Sequence, residues 1–139
     1  MKKRFLLGVG LLVVVACTSG LASPAAESNF REAMSALQSN DFDKALHCLE
    51  LAIADSPENV RYASEYRQAI IRSKEFDRSI NYFAGLIANH PTSANLHLNY
   101  GFAYVDKIPI AGSITQVILA NTALGGFSKA VELKQSWIA

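Results

Sequence analysis

The chain has 139 residues, half of them hydrophobic and 18% charged, which suits one packed domain and argues against disorder. Its formal net charge is +1, and loss of Lys2, Lys3 and Arg4 with an export signal would take it to −2. So balanced a chain lacks the basic surface that tracks a phosphate backbone, and no nucleic-acid partner is expected.

The N-terminus reads as an address. Three basic residues precede Phe5 to Ala16, a run of apolar residues and glycine. That run is short for a membrane span, which needs about 20 residues, and suits a signal-peptide core. Two cleavage sites compete. Val14-Val15-Ala16-Cys17 resembles a bacterial lipobox, which would make Cys17 a lipidation site and give membrane contact through the lipid. Gly20-Leu21-Ala22 suits an ordinary signal peptidase. Either way the domain is exported to the cell envelope, as a periplasm-facing lipoprotein or a soluble periplasmic or secreted protein. Residues 1–22 are read as signal, 23–28 as a short tether and 29–139 as the folded domain.

The domain carries an internal repeat. Phe42, Ala45, Leu49, Ala52 and Pro57 recur as Phe76, Ser79, Phe83, Leu86 and Pro91, each 34 residues on. Within the first copy, Phe42, Ala45, Leu46, Leu49, Ala52 and Ile53 are spaced by threes and fours, which is one face of a helix. Asn40-Asp41 and Lys74-Glu75 suit tight turns, and Ser56-Pro57-Glu58 reads as a helix start. Helices are expected at about 27–39, 42–55, 58–73, 76–89 and 93–106. Each is too short to be stable alone, so stacked neighbours must bury their faces.

The aromatic–small–large–small–proline series at this period resembles the tetratricopeptide repeat. The resemblance implies an all-α solenoid of antiparallel helix pairs. Leu86 is larger than that family prefers at its place. Tyr100, Gly101 and Tyr104 open a third pair, but its second helix is displaced. Ala123, Phe127 and Ala130 continue the pattern and Gln135 stands 44 residues after Pro91, so about ten residues are inserted. A loop at Ile108-Pro109 and a long helix from about Ala111 to Lys134 are expected. Residues Ile108 to Ser128 carry no charge, but Pro109, three glycines, Gln116 and Asn121 make them a poor membrane span. A buried, lengthened repeat helix is the favoured reading. The apolar face of that helix, with Trp137 and Ile138 beyond it, suggests a longer solenoid that continues past Ala139, or self-association through the C-terminal helix.

No catalytic pattern stands out. His47, His90 and His97 are scattered, as are Glu32, Asp41, Asp43 and Glu50, and no cysteine spacing suggests a metal. Cys48 sits in a helical pattern and reads as a small buried hydrophobe. No enzyme activity and no cofactor are expected. The family resemblance implies a groove lined by the first helix of each pair. Its positions map to Phe30 and Met34, then Arg61, Gln68 and Arg72, then Asn95, Asn99 and Phe102. This mixture suits a protein or peptide partner. A lipid-anchored spacer in an envelope complex, or a non-catalytic part of a longer enzyme, is the alternative. Charge is uneven along the repeats. Seven acids face two bases over Glu27–Asn59, while five bases face three acids over Val60–Ser93, so neighbouring repeats should attract.

Overall fold

The computed structural model describes residues 22–135; Cys17, the rest of residues 1–21, Trp137 and Ile138 lie outside the described residues. The described chain is helical, with no strand. Helices α1 (Pro24–Gln38), α2 (Phe42–Asp55), α3 (Val60–Ser73), α4 (Phe76–Asn89) and α5 (Ala94–Lys107) lead through a 3-10 turn (Ile108–Ile110) into α6 (Ser113–Gln135). The starts of α2 and α4, and of α3 and α5, are 34 residues apart, the period of the sequence repeat. Consecutive helices pack on one another, except that α3 and α4 touch sparingly.

Local chemistry sets the helix ends. Asn40 and Lys74 take left-handed φ values of 58° and 64°, which reverses the chain after α1 and α3. Asp41 then caps α2, its carboxylate accepting from the Lys44 amide at 3.2 Å. Two boundaries differ from expectation. Residues 24–28 are not a tether: α1 starts at Pro24, because Ser23 accepts from the Ala26 amide at 3.0 Å and Pro24 has no amide to leave unpaired. Conversely, Ser56 does not begin α3. It closes α2, and Asn59 caps α3 by accepting from the Arg61 amide at 3.1 Å. A Ser-Pro pair is only half a start signal, and a better-placed asparagine three residues on takes the cap.

The repeat explains the spacing of the helices. Ala33, Ala36, Ala45 and Ala52 are buried between α1, α2 and α3, and their small side chains allow close approach. Thirty-four residues after Cys48 and Ala52 stand Tyr82 and Leu86. These larger side chains, with Tyr66 and Phe83, fill the space between α3 and α4 and hold them apart. The rings of Tyr66 and Phe83 meet edge to face with centroids 5.8 Å apart.

The uneven charge becomes contacts between repeats. Arg78 of α4 donates to both oxygens of Glu50 on α2, at 2.8 and 3.1 Å, and the Tyr66 hydroxyl donates to the same carboxylate at 2.9 Å. Tyr82 donates to the Glu50 carbonyl at 2.6 Å. These hydrogen bonds raise the Arg78 pKa above its ordinary value, while burial first and Glu50 second raise that of Tyr66. Further along, Arg67 grips Asp106 with two bonds of 2.7 and 2.6 Å, joining α3 to α5.

The last pair is held by two glycines. Gly126 of α6 lies against the backbone of His97 and Gly101 on α5, and Gly101 lies under the Phe127 ring. Helix α6 runs unbroken through Gly125-Gly126. It is lengthened as expected, but it is not buried on all sides. Leu119, Ala123, Gly126 and Ala130 face α5, whereas Ile114, Val117, Ile118, Leu124 and Val131 face solvent. The inserted residues lengthen α6 beyond the reach of α5, so part of its apolar surface meets no neighbour. No helix among the described residues is long and apolar enough to cross a membrane.

Candidate binding groove

The first helices of the pairs place the expected groove residues very differently. Phe30 is a core residue, 2% exposed, with its ring 4.8 Å from that of Tyr62. It is not available as a groove anchor, because α3 packs its own aromatic against that face of α1. Met34 is half-buried against the same core. Arg61 lies over the Phe30 ring at 4.6 Å, and Arg72 over the Phe42 ring at 5.0 Å. Arg72 also reaches the Asn40 side-chain oxygen at 3.3 Å. Both guanidiniums remain exposed at their outer edges, so each covers an aromatic while keeping donors in water. Gln68 is exposed between them along α3.

The two asparagines of α5 are structural ties. Asn95 donates to the Pro57 carbonyl at 2.7 Å and so fastens α5 to the loop before α3. Asn99 donates to the Asn95 carbonyl at 2.8 Å. Both are buried. Phe102 lies between Arg67, 4.3 Å above its ring, and Phe127, 5.2 Å away. The expected positions therefore do not form one continuous groove.

A different concavity unites some of them. The starts of α3 and α5 and the end of α6 enclose an open groove of about 610 Å³. Val60, Leu98, Phe102, Phe127 and Val131 make its apolar wall, and Asn95, Glu58 and Lys134 also line it. Val60, Leu98 and Val131 are all exposed. Leu98 stands on the same α5 stripe as Asn95 and Phe102, so helical spacing alone could have found it. Val131 and Phe127 come from α6 and enter only because the α5–α6 crossing brings them there.

The groove can bury apolar side chains and has one acid and one base in its lining. It holds no nucleophile beside a base, and no three His, Cys, Asp or Glu side chains among the described residues converge as metal ligands. Cys48 is buried, which raises its thiol pKa and keeps it in the unreactive form. No protein-family model and no curated protein matches the chain.

Proposed function

We propose that this chain is a non-catalytic scaffold of the tetratricopeptide type, exported to the cell envelope, which holds a segment of another protein in the groove between α3, α5 and α6. The observation that carries the reading is the groove itself: an open apolar trough with exposed Val60, Leu98 and Val131 and with one acid and one base in its lining. Surfaces of this kind bind through a few apolar anchors, while rim charges orient the ligand. The 34-residue register of the helices supports the family reading, and the basic, apolar N-terminus with its lipobox-like Cys17 supports export. Arg61, Gln68 and Arg72 are exposed along α3 outside the groove, with Arg61 over Phe30 and Arg72 over Phe42, and offer donors to a longer partner.

Panning a displayed peptide library on the full chain tests this. Enriched peptides should share large apolar residues, and a synthetic consensus peptide should bind. Leu98→Asp should weaken that peptide at least about tenfold, which is 1.4 kcal/mol. Leu51→Asp, at an exposed apolar position on α2, should leave it unchanged. Equal losses in the two variants, or no enriched peptide, would remove the groove as the binding site.

A further inference from the structure

The outer face of α6 is a second surface, which meets the groove only at Val131. Ile114, Val117, Ile118, Leu124 and Val131 are between 55% and 82% exposed. Val117, Leu124 and Val131 stand seven residues apart, and so do Ile114, Asn121 and Ser128. That is the two-position seam of a helix built to pack on another helix. It lies opposite the side that Leu119, Ala123, Gly126 and Ala130 bury on α5.

Two further observations show what is missing. Helix α5 has 14 residues and α6 has 23, so at 1.5 Å per residue about 13 Å of α6 overhangs its partner. Gly126 sits against His97 and Gly101, so the overhang is shared between the two ends of α6, and Ile114 and Val117 stand on its N-terminal part. Gly125 is the second observation. A glycine inside a helix costs about 1 kcal/mol against alanine. Gly126 is required by the backbone of α5, but a side chain at Gly125 would meet nothing within 4 Å. The chain's own fold gives no reason for Gly125, which leaves a hollow on the exposed seam.

We infer that the seam is a dimer interface, in which α6 packs antiparallel on α6 of a second copy of this chain with the two Asn121 residues at the two-fold axis. Antiparallel pairing lays the N-terminal part of each α6 along the other subunit's C-terminal half. Ile118 then enters the hollow at Gly125 beside Leu124, and Ile114 meets Ser128. Large residues meet small ones. Parallel pairing would instead stack Ile114 on its copy and Asn121 on its copy, and would keep Ile118 away from the hollow at Gly125. The seam from Ile114 to Ser128 carries no charge, so it is complementary to itself, as a two-fold interface requires. Without Val131, the four apolar side chains Ile114, Val117, Ile118 and Leu124 expose roughly 500 Å² per subunit, or about 1,000 Å² in the pair if all of it is covered, which reaches the low end of specific interfaces. A lipid surface fits less well, because helices that lie on membranes carry lysine and arginine along the polar face, and Ser113 to Ser128 carry neither.

Cysteine cross-linking of the full chain in cells tests the arrangement. The parent chain, with Cys17 and Cys48 alone, sets the baseline. Under thiol oxidation, Asn121→Cys should give a disulfide-linked dimer. Ser128→Cys alone should not, whereas Ile114→Cys with Ser128→Cys should. Ile118→Lys added to Asn121→Cys should lower the dimer yield at least tenfold while the helical circular dichroism stays unchanged, since Ile118 touches no core. Leu98→Asp, which disables the groove, should leave the dimer intact. No cross-link above baseline from Asn121→Cys overturns the inference. So does an adduct with a protein of another size, or attachment to anionic vesicles in a form that sediments as a monomer. A dimer from Ser128→Cys overturns the antiparallel orientation.

Discussion

Gly125 and Gly126 are neighbours in one helix, and replacing each with alanine separates helix propensity from packing. In isolation either change should favour the helix by about 1 kcal/mol. At Gly125 nothing opposes this, because the new methyl points into open space. At Gly126 the methyl would lie 3.0 Å from the His97 carbonyl oxygen, 3.1 Å from the Gly101 nitrogen and 3.2 Å from the Gly101 Cα. All three are backbone atoms, which cannot swing aside as a side chain would. Helices α5 and α6 must therefore separate, and forced separation of a packed contact costs about 1–3 kcal/mol. The propensity gain is common to both variants, so their difference isolates the packing cost. Gly125→Ala should raise stability by about 1 kcal/mol and Gly126→Ala should lie about 2 kcal/mol below it. Urea denaturation followed by circular dichroism reads this directly, at protein concentrations low enough to keep subunits apart. If Gly126→Ala is stabilised as much as Gly125→Ala, the two backbones are not in contact and the proposed reason for the glycine fails.

Other consequences can be measured in the same way. Glu50→Ala leaves the Arg78 guanidinium and the Tyr66 hydroxyl without their acceptor and should cost about 2 kcal/mol, measured as a lower urea midpoint. Removing the exposed Lys129–Glu132 pair should change that midpoint hardly at all. Cys48, buried with its thiol pKa raised by burial, should resist maleimide under native conditions and react fully in denaturant; fast native labelling would show that α2 opens readily. Burial also raises the pKa values of Tyr62, Tyr66, Tyr82 and Tyr104, the last to about 12. The unfolded chain ionises its tyrosines near pH 10, before the folded chain does, so stability should hold up to about pH 10 and fall above it. The fall should be shallower in Tyr66→Phe, and an equal slope would mean that Tyr66 is not held neutral by the fold.

Much of the helical plan was legible in the residues. Periodicity is a local property, and the run Phe42, Ala45, Leu46, Leu49, Ala52 and Ile53 can bury one face only as a helix. Asn40 and Lys74 mark turns because each stands between two such runs, and the displaced series Ala123, Phe127 and Ala130 revealed the long last helix. The candidate site was less legible. Carrying family positions onto α1 and α5 placed Phe30, Asn95 and Asn99 in a groove, whereas the structure spends them on core packing and on hydrogen bonds to the neighbouring repeat.

The sequence by itself determined the helix order, the 34-residue register and the attraction between repeats of opposite charge, since each follows from residues close in the chain or summed over a segment. Only the tertiary structure decided which side chains remain exposed, because exposure depends on what a distant helix happens to cover. Leu119 and Leu124 are equally apolar and five residues apart in one helix. Leu119 is buried against α5 and Leu124 is left in solvent, because the glycine crossing at Gly101 and Gly126 fixes which side of α6 turns inward. The same crossing brings Phe127 and Val131 beside Leu98 and Phe102 to make the groove, a meeting of residues about thirty apart that no local pattern specifies.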